Sequence, residues 1–347
     1  MARLRTVSPN SSGWTRRRVG RGFVYLDAAG ERLCAEDIDR CRSLVIPPAW
    51  QEVWICPHPN GHIQAVGVDA AGRRQYLYHP EWRIKRDKMK FDRVAEVAAR
   101  LPAARAAILE HIALDGMPVQ RAAAAAVRLL DLGYFRIGSD SYAEDNGSFG
   151  LTTLEKRHVR RVQGRLVFCF TGKSGVEHCI EIDDPLAIAA VDTMRRRRGG
   201  GDRLMAYRDG RRWSPLDAMT VNDYLRSTTG AEITAKDFRT WHATVLAAES
   251  LALCDEAGES KASRKRAVRQ AMVEVSQYLG NTPTIARSSY VDPRVIDLYE
   301  DGTTIEAAAR RSYSSPDERQ RALEKAVLRM LREDAESSSR ARRRKAA

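Results

Sequence analysis

The sequence predicts an α+β protein: a small antiparallel β domain at the N-terminus, then a larger, mainly helical domain that contains one β-hairpin. Three observations predict it. Between residues 21 and 79, short runs rich in aromatic and β-branched residues alternate with turn signals. Beyond Pro80, apolar residues recur at helical spacing. Within that helical stretch, RLVFCFTGKSGVEHCIEID reads as two apolar strands joined at Thr-Gly-Lys-Ser-Gly. The 347 residues suit about two domains, and 43% hydrophobic with 30% charged residues is a globular composition.

Residues 1–20 are basic and polar and read as loosely ordered. GFVYLDAAGERL reads as a hairpin with Ala-Ala-Gly at its tip. EVWICPHPNGHIQAVGVDAAGRRQYLYHP carries three more strands, separated by Pro-Asn-Gly and Ala-Ala-Gly. Pro80 ends this domain, and EWRIKRDKMKFDRVAEVAARLPAAR opens the helical stretch. Helices follow at Ala106–Leu114 and at Pro118–Leu132, with Gly133 as the C-terminal cap of the second. After the hairpin, helices resume at about 185–196, 216–228, 235–254 and 261–279. In the last, Val268, Met272, Val275 and Leu279 fall on one face as a core stripe. Arg195–Arg198 followed by Gly199–Gly201 reads as a flexible charged loop, and 319–333 as an amphipathic helix. The domain bounds are 1–90 and 91–333, with 334–347 a basic disordered tail.

Lysine and arginine number 58 against 45 acidic residues, a net charge of +13. A surplus of that size on a soluble chain points to a polyanion, of which nucleic acid is the commonest. The start of the chain lacks the apolar core of a secretory signal, and no run reaches the roughly 18 apolar residues of a membrane span. The expected place is therefore the cytoplasm. The frequent Ala and Arg point to a GC-rich bacterial genome. Six cysteines without a CxxC read as reduced thiols rather than a disulfide framework. Cys56, His58 and His62 in CPHPNGH miss the zinc spacings, and Pro-Asn-Gly there reads as a turn. No metal and no cofactor is expected. Gly172-Lys173-Ser174 lacks the earlier glycine of a Walker A loop, there is no HExxH, and no carboxylate cluster has two-metal nuclease spacing.

Cutting a nucleic-acid strand without metal needs a nucleophile for phosphorus, cations for the non-bridging oxygens and an acid for the leaving oxygen. Arginine suits the second role through its planar, always charged fork, and lysine suits the third. Four segments carry such residues: GYFRIGSDSYAEDNGSFGLTTLEKRHV, FTGKSGVEH, TAKDFRTWHATV and LGNTPTIARSSYVDP. Singly, each has an ordinary explanation. Arg136 could be a surface arginine after a helix cap, Lys173 a turn residue, Arg239 a helix charge and Tyr290 a core aromatic.

Together and in this order, the four segments resemble the poxvirus and bacterial type IB DNA topoisomerases, over about residues 20 to 300. GSFGLTTLEKRHV, KDFRT and LGNTPTIARSSY are similar to the family's boxes. VIPPAW and YLYHPEWRIKRDKMKFDR are similar to its N-terminal segment and domain junction. The resemblance implies that Tyr290 forms a 3′-phosphotyrosyl link and that Arg136 and Arg239 bind the non-bridging oxygens. It implies that Lys173 is the general acid for the 5′-oxygen, and that a monomer closes on double-stranded DNA like a clamp. Asn281 stands where the family often has histidine; it can donate a hydrogen bond but carries no charge. His242 reads as a helix-packing histidine. Arg83, Lys85, Arg86 and Lys88 at the junction, with Tyr76 and Tyr78 in QYLY and Ser139 and Tyr142 after Arg136, are the expected DNA contacts.

A tyrosine recombinase shares the Arg, Lys, Arg and Tyr toolkit. It usually shows His-x-x-Arg where this chain has Lys236-Asp-Phe-Arg239, and a helical rather than β N-terminal domain. A non-catalytic DNA-binding protein accounts for the charge but not for the four ordered boxes.

Overall fold

A computed structural model describes residues 3–140, 143–144, 147–254 and 260–346, with backbone only at 338–339 and 341–346. The chain divides into two compact units, Met1–Asp92 and Arg93–Ala347.

The first unit is a five-stranded antiparallel sheet in the order β2-β1-β3-β4-β5: β1 Trp14–Val19, β2 Gly22–Leu26, β3 Gln51–Ile55, β4 Ile63–Val68 and β5 Arg74–Tyr78. Helix α1, Ala35–Ser43, sits between β2 and β3. Tyr25, Cys41, Ile46, Val53, Ile55 and Ala65 form its core. Two expectations need correction here. Residues 14–19 are not loose: WTRRRV is a strand, paired with β2 through Arg16↔Tyr25 and Arg18↔Phe23. The partner of β2 is therefore β1, and Leu26↔Arg32 is only an isolated bridge. Arginine-rich WTRRRV lacks the apolar alternation of a strand, yet Arg16 earns its place by tying down the neighbouring loop. Its guanidinium donates to the carbonyls of Ile46, Pro47 and Trp50, each at 2.9 Å, and so holds VIPPAW against the sheet.

Helix α2, Pro80–Ala98, crosses the boundary between the units. The second unit packs α3 Leu101–Ile112, α5 Pro185–Arg196, α6 Ala218–Thr229 and α7 Ala235–Ala252 around α4, Val119–Gly133. Ala122 to Ala126 are all buried, so α4 is covered on every side, and its small side chains let neighbouring helices approach closely. The expected stripe on α8, Lys261–Leu279, is buried at Val268, Met272, Val275 and Leu279. Three short helices follow: α9 Pro283–Ser289, α10 Pro293–Glu300 and α11 Glu306–Ala309. The last helix, α12, runs Pro316–Ala346, so residues 334–346 are helical rather than an irregular tail. Their Ala, Arg, Glu and Lys are good helix formers, which a reading based on charge alone overlooks.

The hairpin strands β7 Arg165–Thr171 and β8 Glu177–Ile182 are joined by a third, β6 Val159–Val162. A separate hairpin, β9 Ala206–Asp209 with β10 Arg212–Pro215, was not anticipated. The cysteine expectation is also corrected: Cys169 and Cys179 lie opposite each other on β7 and β8 and form a disulfide. The 195–201 loop is not merely solvated. Arg197 is buried and donates to the carbonyls of Met194, Leu204 and Gly200, gathering the glycines around it. Among the described residues, no helix is long and apolar enough to cross a membrane.

Candidate active site

Four segments of the second unit converge on one cavity of about 730 Å³. Arg136, Lys173, Arg239, Asn281 and Tyr290 all line it.

Arg136 follows α4. The left-handed residue that ends this helix is Tyr134 (φ 54°), not Gly133. The chain then runs against GSFGLTT: Leu151 N donates to Arg136 O and Thr152 N to Ile137 O, both at 2.8 Å. A Cβ on Gly150 would lie 2.5 Å from Gly138 Cα, so only glycine admits this approach. The Arg136 guanidinium donates through Nη2 to Gly280 O at 2.9 Å.

Arg239 stands one turn into α7, whose start explains TAKDFRT. Thr234 is the N-cap, and Asp237, three residues on, accepts from the Thr234 backbone N–H at 2.9 Å, closing a capping box. Phe238 turns into the core, while Lys236 and Arg239 share the face that lines the cavity. Arg239 is buried. It donates through Nη2 to Leu279 O at 2.6 Å and through Nη1 to Tyr134 O. Its Nε has no hydrogen-bond partner among the described residues. Burial and the nearby Arg136 charge push its pKa down, against the influence of Tyr290. A guanidinium nonetheless stays charged. Burial likewise lowers Arg136. Two clustered cations in a partly desolvated cavity make a strong anion site.

Lys173 sits at the exposed tip of the β7–β8 hairpin, where Ser174 (φ 65°) and Gly175 reverse the chain. Phe149 N donates to Thr171 O at 2.8 Å, which ties the hairpin to the Arg136 segment. Asn281 follows the left-handed Gly280 that ends α8. Both of its amide atoms are buried without a partner among the described residues. Tyr290 ends α9, with the Arg239 guanidinium 5.6 Å from its ring centre. Asp292 N donates to the Thr244 hydroxyl at 3.1 Å, so the segment just after Tyr290 is pinned to the helix that carries Arg239.

The other expected residues lie elsewhere. Tyr76 and Tyr78 share one face of β5, with rings stacked 5.9 Å apart, and Arg86 lies over Tyr78 at 5.2 Å. Arg83, Lys85, Arg86 and Lys88 are exposed along α2. Ser139 is exposed beside Arg136, lining a smaller hollow with Arg136 and Lys173. Tyr142 lies outside the described residues. His242 is buried, with Nε2 3.1 Å from the Asp131 carboxylate. Two residues of the site were given no role in it from the sequence. Lys236 adds a cation to the cavity wall, and its spacing of three before Arg239 on one helix was the available signal. His178, in β8, packs behind the arginines, and nothing in VEHCI marks it.

Residues 79–312 match the family described as "Eukaryotic DNA topoisomerase I, catalytic core". Residues 22–69 match "Bacterial DNA topoisomerase IB, N-terminal domain". The DNA topoisomerase 1B of Acanthamoeba polyphaga mimivirus is 29% identical over 297 residues, 83% of this chain and 88% of that protein. The DNA topoisomerase 1B of Vaccinia virus (strain Copenhagen) is 21% identical over 266 residues, 72% of this chain and 76% of that protein. With the catalytic-core family matched over more than half its length, and the four boxes meeting in one cavity, the chain belongs to the type IB DNA topoisomerase family.

Proposed function

We propose that the protein relaxes supercoiled duplex DNA by cutting and resealing one strand through a covalent bond to Tyr290. The observation that carries this reading is the shared cavity: five side chains from four separate segments supply a nucleophile, three cations and a neutral donor within one space. The relatives named DNA topoisomerase 1B support it.

The Tyr290 phenolic oxygen attacks a backbone phosphorus and passes its proton to water. A P–O bond to tyrosine forms as the bond to the 5′-oxygen breaks. Lys173 gives that leaving oxygen its proton, yielding a free 5′-hydroxyl and a 3′-phosphotyrosine. Arg136 and Arg239 neutralise the non-bridging oxygens. Arg239 donates one N–H of each Nη to a carbonyl, so its orientation is set before substrate arrives, and its Nε–H, without a partner among the described residues, is available to phosphate. The Asn281 amide donates alongside. Because the phosphotyrosine conserves the energy of the broken phosphodiester, the 5′-hydroxyl can attack back without ATP, and the chain's own cations stand where a metal would serve. While the strand is open, its free end turns and torsion is released.

A single chain holds all five groups, so a monomer suffices. Both units bind DNA in the cytoplasm, at the nucleoid. The exposed basic residues of α2, the Tyr76–Tyr78 face and the Ser139–Tyr142 segment supply contacts. The test is incubation with supercoiled plasmid in EDTA without ATP. A ladder of partly relaxed topoisomers is expected. Recombination products, or a mobility shift with no change in linking number, would overturn the reading.

A further inference from the structure

His178 has no role in the chemistry above, yet its ring packs against the glycines that precede Lys173 and Asn281. It projects from β8 opposite Phe170 of β7 and stacks on that ring, with centres 5.3 Å apart and planes 23° from parallel. Gly172 and Gly280 close on its Nε2 corner. A Cβ on Gly172 would lie 2.5 Å from His178 Cδ2, and one on Gly280 would lie 2.2 Å from Cε1. Both glycines are therefore demanded by the imidazole. Gly172 is the residue before Lys173, and Gly280 the residue before Asn281. Gly280 O accepts from Arg136, and Leu279 O from Arg239.

Resting on the topoisomerase reading, we propose that His178 is a positioning residue: its ring is the spacer that sets the Lys173 hairpin against the Leu279–Asn281 turn. Lys173 and Asn281 then face one phosphate from opposite walls, and the two carbonyls that orient the arginines stay in place. A displacement of about 1 Å in such a constellation can cost about 10²-fold in rate.

The surroundings of the ring disfavour its charged form. Burial, then Arg136 and Arg239, lower its pKa, while Glu177 on the same strand raises it. Tyr134 and Tyr278 line the same small hollow. A protonated His178 would place a third cation against the arginines and drive the wedge apart. Cleavage therefore falls as pH drops through the lowered value of His178.

The test is single-turnover cleavage of a duplex oligonucleotide by parent, His178→Ala and His178→Gln. The scissile 5′-bridging atom is oxygen in one substrate and sulfur, which needs no proton to leave, in the other. His178→Ala is expected to slow cleavage of the oxygen substrate by about ten- to a hundredfold and to lose much less on sulfur, because part of its defect is a misplaced Lys173. His178→Gln, a flat amide reaching the same corner, is expected to recover most of the rate and to lack the acidic limb of the parent's pH profile. A parental rate for His178→Ala, an equal defect on both substrates, or an unchanged acidic limb in His178→Gln overturns the proposal. If His178→Ala does not fold, the pH profile of His178→Gln decides. A parent that forms no covalent adduct dependent on Tyr290 instead overturns the topoisomerase reading, and this proposal with it.

Discussion

Asn281 places two buried polar atoms, without partners among the described residues, in a cavity that Arg136, Lys173, Lys236 and Arg239 also line. Leaving the Nδ2 donor unpaired costs about 1–3 kcal/mol, which a bound phosphate oxygen accepting from it would offset. Asn281→Ala is expected to slow single-turnover cleavage by about ten- to a thousandfold, the range for one lost oxyanion-type donor. Asn281→His restores a donor and introduces a titration that the parent amide lacks. Its midpoint is expected below the ordinary histidine value of about 6.5, because Arg136 and Arg239 face the same space. A parental rate for Asn281→Ala would make this residue only the helix-end position after Gly280. That Arg136, Lys173, Arg239, Asn281 and Tyr290 belong together was read from the order of their boxes, and they line one cavity; the place of His178 was not read. Its role depends on two glycines 108 residues apart in number, Gly172 and Gly280, meeting at one ring.

Among the elements, those with strong apolar periodicity were legible, as the α8 stripe and the Lys173 hairpin show. The strands β1, β6 and β10 were not, because WTRRRV, VRRV and RWSP are polar and become strands only by pairing with a neighbour. The same holds for the attachment of α12. Arg105 on α3 bonds Asp131 on α4 at 2.7 Å and Glu324 on α12 at 2.6 Å, and Asp131 also meets His242 on α7. Burial raises the Asp131 carboxyl, but the Arg105 charge and the bonds from His242 and Arg105 prevail and hold it well below the usual carboxylate range. The stability from this lowered group is present above the unfolded value of about 3.9 and is lost as pH falls toward the folded one. Arg105→Ala leaves two carboxylates buried without that partner and is expected to cost about 3–5 kcal/mol in denaturant unfolding at neutral pH. A loss under about 1 kcal/mol would show that the network does not pin the last helix.

Over the whole molecule, the charge of +13 and the exposed arginines and lysines of α2 make DNA affinity an electrostatic quantity. The log of affinity is expected to fall linearly with the log of salt, with a slope of about −0.9 for each phosphate contacted. Replacing Arg83, Lys85, Arg86 and Lys88 by alanine should flatten that slope; an unchanged slope would place the DNA contacts elsewhere. The change from β to helix near Pro80 was legible from the shift in periodicity, and the helical stretch read from EWRIKRDKMKFDRVAEVAARLPAAR runs unbroken as α2 across Asp92, where the two units divide, with Phe91, Val94 and Val97 buried. The central claim is the covalent bond at Tyr290, and trapping tests it most directly. Duplex DNA labelled on the cleaved strand is mixed with protein, the reaction is stopped in denaturant, and the adduct is digested and mapped by mass. The account predicts a 3′-phosphate joined to Tyr290, and no adduct with Tyr290→Phe, which still folds and binds DNA. An adduct that survives Tyr290→Phe, or a link to the 5′-end, would contradict it.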